Sequence, residues 1–203
     1  TGPNPFTLVG ISWMAGADVR TINSVVFTPT GGGSAVTLTE VKTQAVKKQS
    51  GSGATAPAGG VAIYRWPDGS DPSGKTGTIK VTLSGTLSSN SGVCVVGLAN
   101  FKGVNQTTPY GTPNSSSNVN ETAAASTIST DVDSAANGLV FDVVMAANQQ
   151  GQAIPSLSAG TGQSEQWNRA PSVTGRATRG AASTKAGSGA STTMSWDAGT
   201  NFI

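Results

Sequence analysis

Thr78-Ile79-Lys80-Val81-Thr82-Leu83-Ser84 decides the fold class. Ile79, Val81 and Leu83 fall on one face of an extended chain, while Thr78, Lys80 and Thr82 fall on the other. That period of two marks a strand half-buried against a core. Just upstream, Pro67-Asp68-Gly69-Ser70-Asp71-Pro72-Ser73-Gly74 is a dense run of turn formers, and Val61 to Trp66 before it reads as another strand. The same grammar continues towards the N-terminus. Phe6-Thr7-Leu8-Val9-Gly10-Ile11-Ser12-Trp13 sets Phe6 and Leu8 on one face and Val9, Ile11 and Trp13 on the other. Ser24 to Thr28 is a brief strand closed by Pro29 and the Gly31-Gly32-Gly33 turn, and Ala35 to Thr43 follows it.

Downstream, Val93 to Phe101 and Gly138 to Ala147 are more continuously apolar, which predicts central strands buried on much of both faces. Thr127 to Val132 supplies another strand. Gln163 to Trp167, Val173 to Thr178 and Thr192 to Trp196 complete the set among glycine-rich loops. No segment keeps a 3.6-residue period with caps over three turns, and Glu121 to Ser126 offers one helical turn at most. About ten short strands with long loops and no helices predict an all-β, antiparallel sandwich or barrel. Residues 1–203 read as a single domain, since neither an internal repeat nor a heptad interrupts them.

Composition narrows the function. The chain has 203 residues in 20.1 kDa, and Gly, Ser and Thr number 27, 25 and 26. Its glycines are scattered, so it is no collagen, and 36% hydrophobic with 11% charged residues is no disordered polyelectrolyte. Histidine is absent, so a histidine-based triad, general base or metal site cannot exist. The formal net charge is +2 and no basic cluster exceeds Lys47-Lys48, which removes the footprint of a nucleic-acid binder. No apolar run approaches the roughly 18–20 residues of a membrane span. Cys94 is the sole cysteine, and its apolar surroundings predict a small buried hydrophobe. The start at Thr1 without Met suits a processed or trimmed chain.

Catalytic chemistry finds no foothold. There is no Gly-x-Ser-x-Gly elbow, and Gly31-Gly32-Gly33-Ser34 lacks the Lys-Ser/Thr of a phosphate loop. Asp68 with Asp71 and Asp131 with Asp133 offer too few oxygens for a calcium loop and read as turn-stabilising acids. Glu40, Glu121 and Glu165 are too dispersed for a paired-acid hydrolase. The expectation is therefore a protein that is not an enzyme, with no catalytic residue, metal or cofactor. Most aromatics alternate with apolar partners and belong to the core. Trp167, in polar surroundings, and Tyr110 are the candidates for exposed contacts such as sugar stacking. Three sequons begin at Asn105, Asn114 and Asn120. Twelve asparagines among so many Ser and Thr supply about that number by chance, but all three crowd into one polar stretch where covalent glycans fit.

Thr78 to Gly85, Ala99 to Pro109, Ala159-Gly160-Thr161-Gly162-Gln163 and Thr193-Met194-Ser195-Trp196 together carry a resemblance. The chain resembles jelly-roll-like β-sandwich domains of uncharacterised bacterial surface and phage structural proteins. The resemblance implies two packed sheets, no catalytic residues and a structural or adhesive role. It also implies a further apolar strand beyond Trp196, where the sequence stops at Asn201-Phe202-Ile203. Either the chain is incomplete or the sandwich lacks that strand. In the second case an unfilled slot, with Phe202 and Ile203 at its incomplete edge, invites a strand from a neighbour, and head-to-tail insertion builds a filament. The N-terminal segment, with Phe6, Leu8, Val9, Ile11 and Trp13, is the candidate donor, although it fits equally well as the domain's own first strand.

The leading expectation is thus a subunit of a self-assembling extracellular or cell-surface filament, joined to copies of itself by strand complementation. It involves neither nucleic acid nor membrane insertion. A phage or viral capsid, decoration or tail-fibre protein on a virion is the first alternative, and a carbohydrate-binding adhesin module the second.

Overall fold

Thirteen strands succeed one another in the computed structural model: β1 (Phe6–Gly16), β2 (Ile22–Pro29), β3 (Val36–Thr37), β4 (Thr39–Lys47), β5 (Ala58–Arg65), β6 (Gly77–Leu83), β7 (Val93–Phe101), β8 (Thr127–Asp133), β9 (Leu139–Ala147), β10 (Ser158–Ala159), β11 (Ser164–Arg169), β12 (Thr178–Ala186) and β13 (Ser191–Asp197). The structure describes residues 4–16, 19–47, 58–67, 74–87, 92–117, 127–147, 154–171 and 178–199. Among these there is no helix, and every strand pairing is antiparallel. The chain is an all-β antiparallel sandwich, as the sequence predicts, with thirteen strands among the described residues rather than about ten.

Four sheets form, ordered β3-β2-β6, β4-β5-β1-β7, β11-β12-β9 and β10-β13-β8. Side-chain alternation stacks them in that sequence. On β1 the odd residues Val9, Ile11, Trp13 and Ala15 enter a core with Val25, Phe27, Leu38, Ala62, Tyr64 and Trp66, against which Ile79, Val81 and Leu83 of β6 pack. That core joins the first sheet to the second. The even face of β1 meets the third sheet: the Ser12 hydroxyl donates 3.0 Å to the Val144 carbonyl, and Gly10 lies against Val143 and Trp167. On β9, Val144 and Ala146 turn the other way, into a second core with Leu157, Ala181, Trp196 and Ala198. The sandwich is therefore built twice, and the two halves share the face between the second and third sheets.

This layering explains where the reading of single strands departs from the fold. The continuous apolarity of Val93 to Phe101 and Gly138 to Ala147 predicts central strands. Among the described residues, however, β7 pairs with β1 alone and β9 with β12 alone, so both are edges. For β9 the apolarity reports layers above and below it rather than strands on either side. The run Thr178 to Ala186 reads as a glycine-rich loop beyond a strand at 173–178, yet it is β12, the central strand of its sheet. Ala181, Ala182 and Ser183 are fully buried there. Small side chains are what let a strand sit between two close layers, and they erase the pattern that would announce it.

Trp13, Trp66 and Trp196 are core residues, as their apolar alternation predicts. Tyr64, buried in the first core with Trp13 and Trp66, donates 3.2 Å to the Glu40 carboxylate. Burial, reinforced by that carboxylate, pushes its phenol up to about 12.

Candidate functional site

The second sheet has four strands and the first has three, and the mismatch falls at β7. Its odd residues face inward: Val93 and Ala99 are buried, and Gly97 lies under the Trp167 ring. Its even residues lie on the face that β1 turns towards the first sheet, since Val96 pairs with Ile11 and Leu98 with Val9. Val9 and Ile11 are fully buried there, but no β7 side chain joins their core. Val96 is 38% and Leu98 49% exposed, and Cys94 beside them is exposed too. The result is an apolar stripe on a strand whose outer edge has no partner among the described residues.

Cys94 thus departs from its predicted burial, because its strand is an edge and its side chain lies on the uncovered face. The surrounding protein still desolvates its sulfur in part, and this holds the thiol above its ordinary value.

Other edges are defended, in the ways that keep sheets from pairing with strangers. β4 carries Glu40 and Lys42, with a register shift between them. β11 carries Glu165 and Arg169 and shifts between Glu165 and Trp167. β8 carries Asp131 and Asp133, β9 carries Asp142 and β6 carries Lys80, while β3 and β10 are two residues long. Over nine residues β7 has no charge, no proline and no shift in its register with β1. A long, unshifted, uncharged edge is an open template for another strand.

The sequence-derived candidates land in different places. Phe6, Leu8, Val9, Ile11 and Trp13 belong to β1, which lies between β5 and β7 as the chain's own strand. Within the chain the segment is thus the domain's own first strand, the fit the sequence equally allows, and Val9, Ile11 and Trp13 are fully buried there. Phe202, Ile203 and Asn120 lie outside the described residues, as do Asp68 and Asp71. Trp167 is half-buried and is no exposed platform: its indole covers Gly10 and Gly97, and its centroid lies 5.8 Å from that of Phe141. Tyr110 is 44% exposed, but Phe6 lies 6.3 Å away centroid to centroid and the Arg65 guanidinium sits 5.7 Å from the ring centre.

One buried acid lies outside the sequence-derived candidates. Asp142 on β9 accepts from the Ser183 amide and hydroxyl, both at 2.7 Å, and from Trp196 Nε1 at 2.8 Å. Burial raises its carboxyl above the usual range, and these three donors oppose that rise. An acid inside the apolar run Leu139-Val140-Phe141-Asp142-Val143-Val144 was the available signal. Among the described residues no group of three His, Cys, Asp or Glu could hold a metal ion, and no helix is long and apolar enough to cross a membrane.

Comparison with known proteins adds no name to this geometry: no family model, no curated protein and no solved structure matches the chain.

Proposed function

We propose that the chain is a structural subunit of a self-assembling extracellular filament, in which a strand from a neighbouring copy seats on the β7 edge. The observation that carries this reading is the undefended edge itself, with Val96 and Leu98 exposed beside it. An incoming strand gains the backbone groups that β1 leaves unpaired and covers the apolar stripe in the same step. If the strand offered is not the one that receives, each copy keeps a free edge for the next. Such a contact is heterologous and propagates into a fibre.

Electron microscopy of the purified protein tests the reading directly. Fibres are expected for the parent chain, whereas closed shells or dispersed monomers at high concentration would remove it. Val96→Lys with Leu98→Lys should reduce fibre mass at least tenfold, since lysine on an edge opposes strand addition. Both positions are exposed, so stability should move by no more than about 0.5 kcal/mol. Ile154→Lys, at an exposed position outside β7, should leave assembly intact.

Cys94 gives a second, independent readout. Its thiol should react with a maleimide in dispersed chains and be protected in fibres. Labelling runs at mildly alkaline pH, because the thiol titrates above its ordinary value. Equal labelling of both forms would show that the β7 edge stays open on assembly. A photoreactive maleimide on the same sulfur would then identify the donated strand by mass spectrometry.

A further inference from the structure

We infer that Asn105 is the acceptor of an N-linked oligosaccharide and that Asn114, although it also heads a sequon, is not. The two differ in what the fold does with their side chains. Asn114 is committed: its Nδ2 donates 2.8 Å to the Asp131 carbonyl on β8, and its Oδ1 accepts 2.8 Å from the Ser115 amide. The hydroxyl two residues on, Ser116 Oγ, donates 2.7 Å to the Ser129 carbonyl, and Ser115 Oγ donates 2.9 Å to Gln44. Both groups a transferase must engage in that sequon are thus occupied in fastening the loop to β8.

The Asn105-Gln106-Thr107 sequon is displayed instead. All three residues are exposed. Asn105 Oδ1 accepts the amides of Thr107 at 2.9 Å and Thr108 at 3.2 Å, and among the described residues its Nδ2 donates to nothing. Those two bonds hold the side chain through its oxygen and leave Nδ2 unengaged. The Thr107 hydroxyl is likewise unengaged among the described residues. The turn is held in place by the Val104 amide, which donates 3.3 Å to Asn4, and by Gln106 Nε2, which donates 2.9 Å to the Val104 carbonyl. A sugar on Asn105 breaks no hydrogen bond of the fold, whereas one on Asn114 breaks the bond to β8.

The transfer balances with one co-reactant, an oligosaccharide esterified to a lipid pyrophosphate. Asn105 Nδ2 attacks the anomeric carbon, the bond from that carbon to the phosphate oxygen breaks, and the lipid pyrophosphate leaves. The proton lost from Nδ2 passes to a base of the transferase. None of this depends on assembly, and Asn105 lies beyond the end of β7 rather than along its edge.

The test incubates the folded chain with a purified oligosaccharyltransferase and its lipid-linked donor. Sites are then mapped by mass spectrometry after enzymatic release in heavy-oxygen water. Occupancy at Asn105 should exceed that at Asn114 at least tenfold. It should vanish in Asn105→Gln and Thr107→Ala and persist in Asn114→Gln. A urea-unfolded sample, diluted into the same reaction, should accept sugar at both sites. Equal occupancy of Asn114 in the folded chain overturns the inference, and so does a bare Asn105, whether or not the unfolded sample is modified there.

Discussion

Asp142→Ala should lower the free energy of unfolding by about 2–6 kcal/mol, measured by urea denaturation. The substitution leaves the Ser183 amide and Trp196 Nε1 without their acceptor, and each orphaned donor costs about 1–3 kcal/mol. Ser183 Oγ loses less, because it still accepts from Gln163 Nε2 at 2.8 Å and can turn its own proton elsewhere. One effect opposes the loss, since removing a desolvated carboxylate also removes the cost of holding its charge. Asp142→Asn separates the two. It keeps an oxygen for Ser183 but sets an NH2 against the Trp196 N–H, so it should cost about 1–3 kcal/mol, the value of one orphaned donor.

The pH dependence carries the sign of the raised carboxyl. The folded chain holds the Asp142 proton more tightly than the unfolded chain does. Folding is therefore favoured most below the ordinary aspartate value near 4, and stability falls as pH rises from there through the raised value. Above that window the contribution is flat. Asp142→Asn lacks the titration, so the difference between parent and variant should slope downward across mildly acidic pH and then level off. A difference that stays constant across that range would show that Asp142 titrates alike in both states, and an alanine variant as stable as the parent would show that its bonds carry no net stability.

Much of the fold is legible in local alternation, and the rest is hidden by the layering. Ile79, Val81 and Leu83 face the first core as their spacing predicts, and Val9, Ile11 and Trp13 do the same from β1. Periodicity of two reports which face is buried, but it is silent about what lies beside a strand in its sheet. Val93 to Phe101 could therefore be recognised as a strand while its place at an edge, and with it the exposure of Val96 and Leu98, stayed out of reach. β12 was lost for the opposite reason. Gly180, Ala181, Ala182 and Ser183 are small because two sheets close on them, with Ser12 and Val95 against the Gly180 backbone. Residues selected for thinness resemble residues selected for flexibility. Partners distant in sequence, such as Asp142 with Trp196 or Asn114 with Asp131, are invisible to any local pattern.

Gly97→Ala probes one of these hidden contacts. In an ordinary strand interior the change should stabilise by roughly 0.5–1 kcal/mol, because glycine is the more disordered residue in the unfolded chain. Here the sign should reverse. Gly97 and Gly10 are cross-strand partners, and the Trp167 indole lies over the bare patch they make. A methyl on Gly97 would run into Cδ2 and Cε2 of that ring, and one on Gly10 would fall 2.7 Å from Cζ2. The ring has little room to retreat, because Phe141 packs beside it. Either the second and third sheets separate locally, at about 1–3 kcal/mol for overpacking, or the indole is expelled. Expulsion cannot cost more than removing the ring altogether. Trp167→Ala should cost about 2–4 kcal/mol, somewhat below a fully buried tryptophan because this one is half-exposed. The double variant distinguishes the outcomes. If the methyl and the ring compete for one space, Gly97→Ala should be harmless or mildly stabilising once Trp167 is alanine, a coupling of about 1–3 kcal/mol. Strictly additive costs would mean that the ring does not rest on Gly97, and that the two halves of the molecule are held together by some other contact.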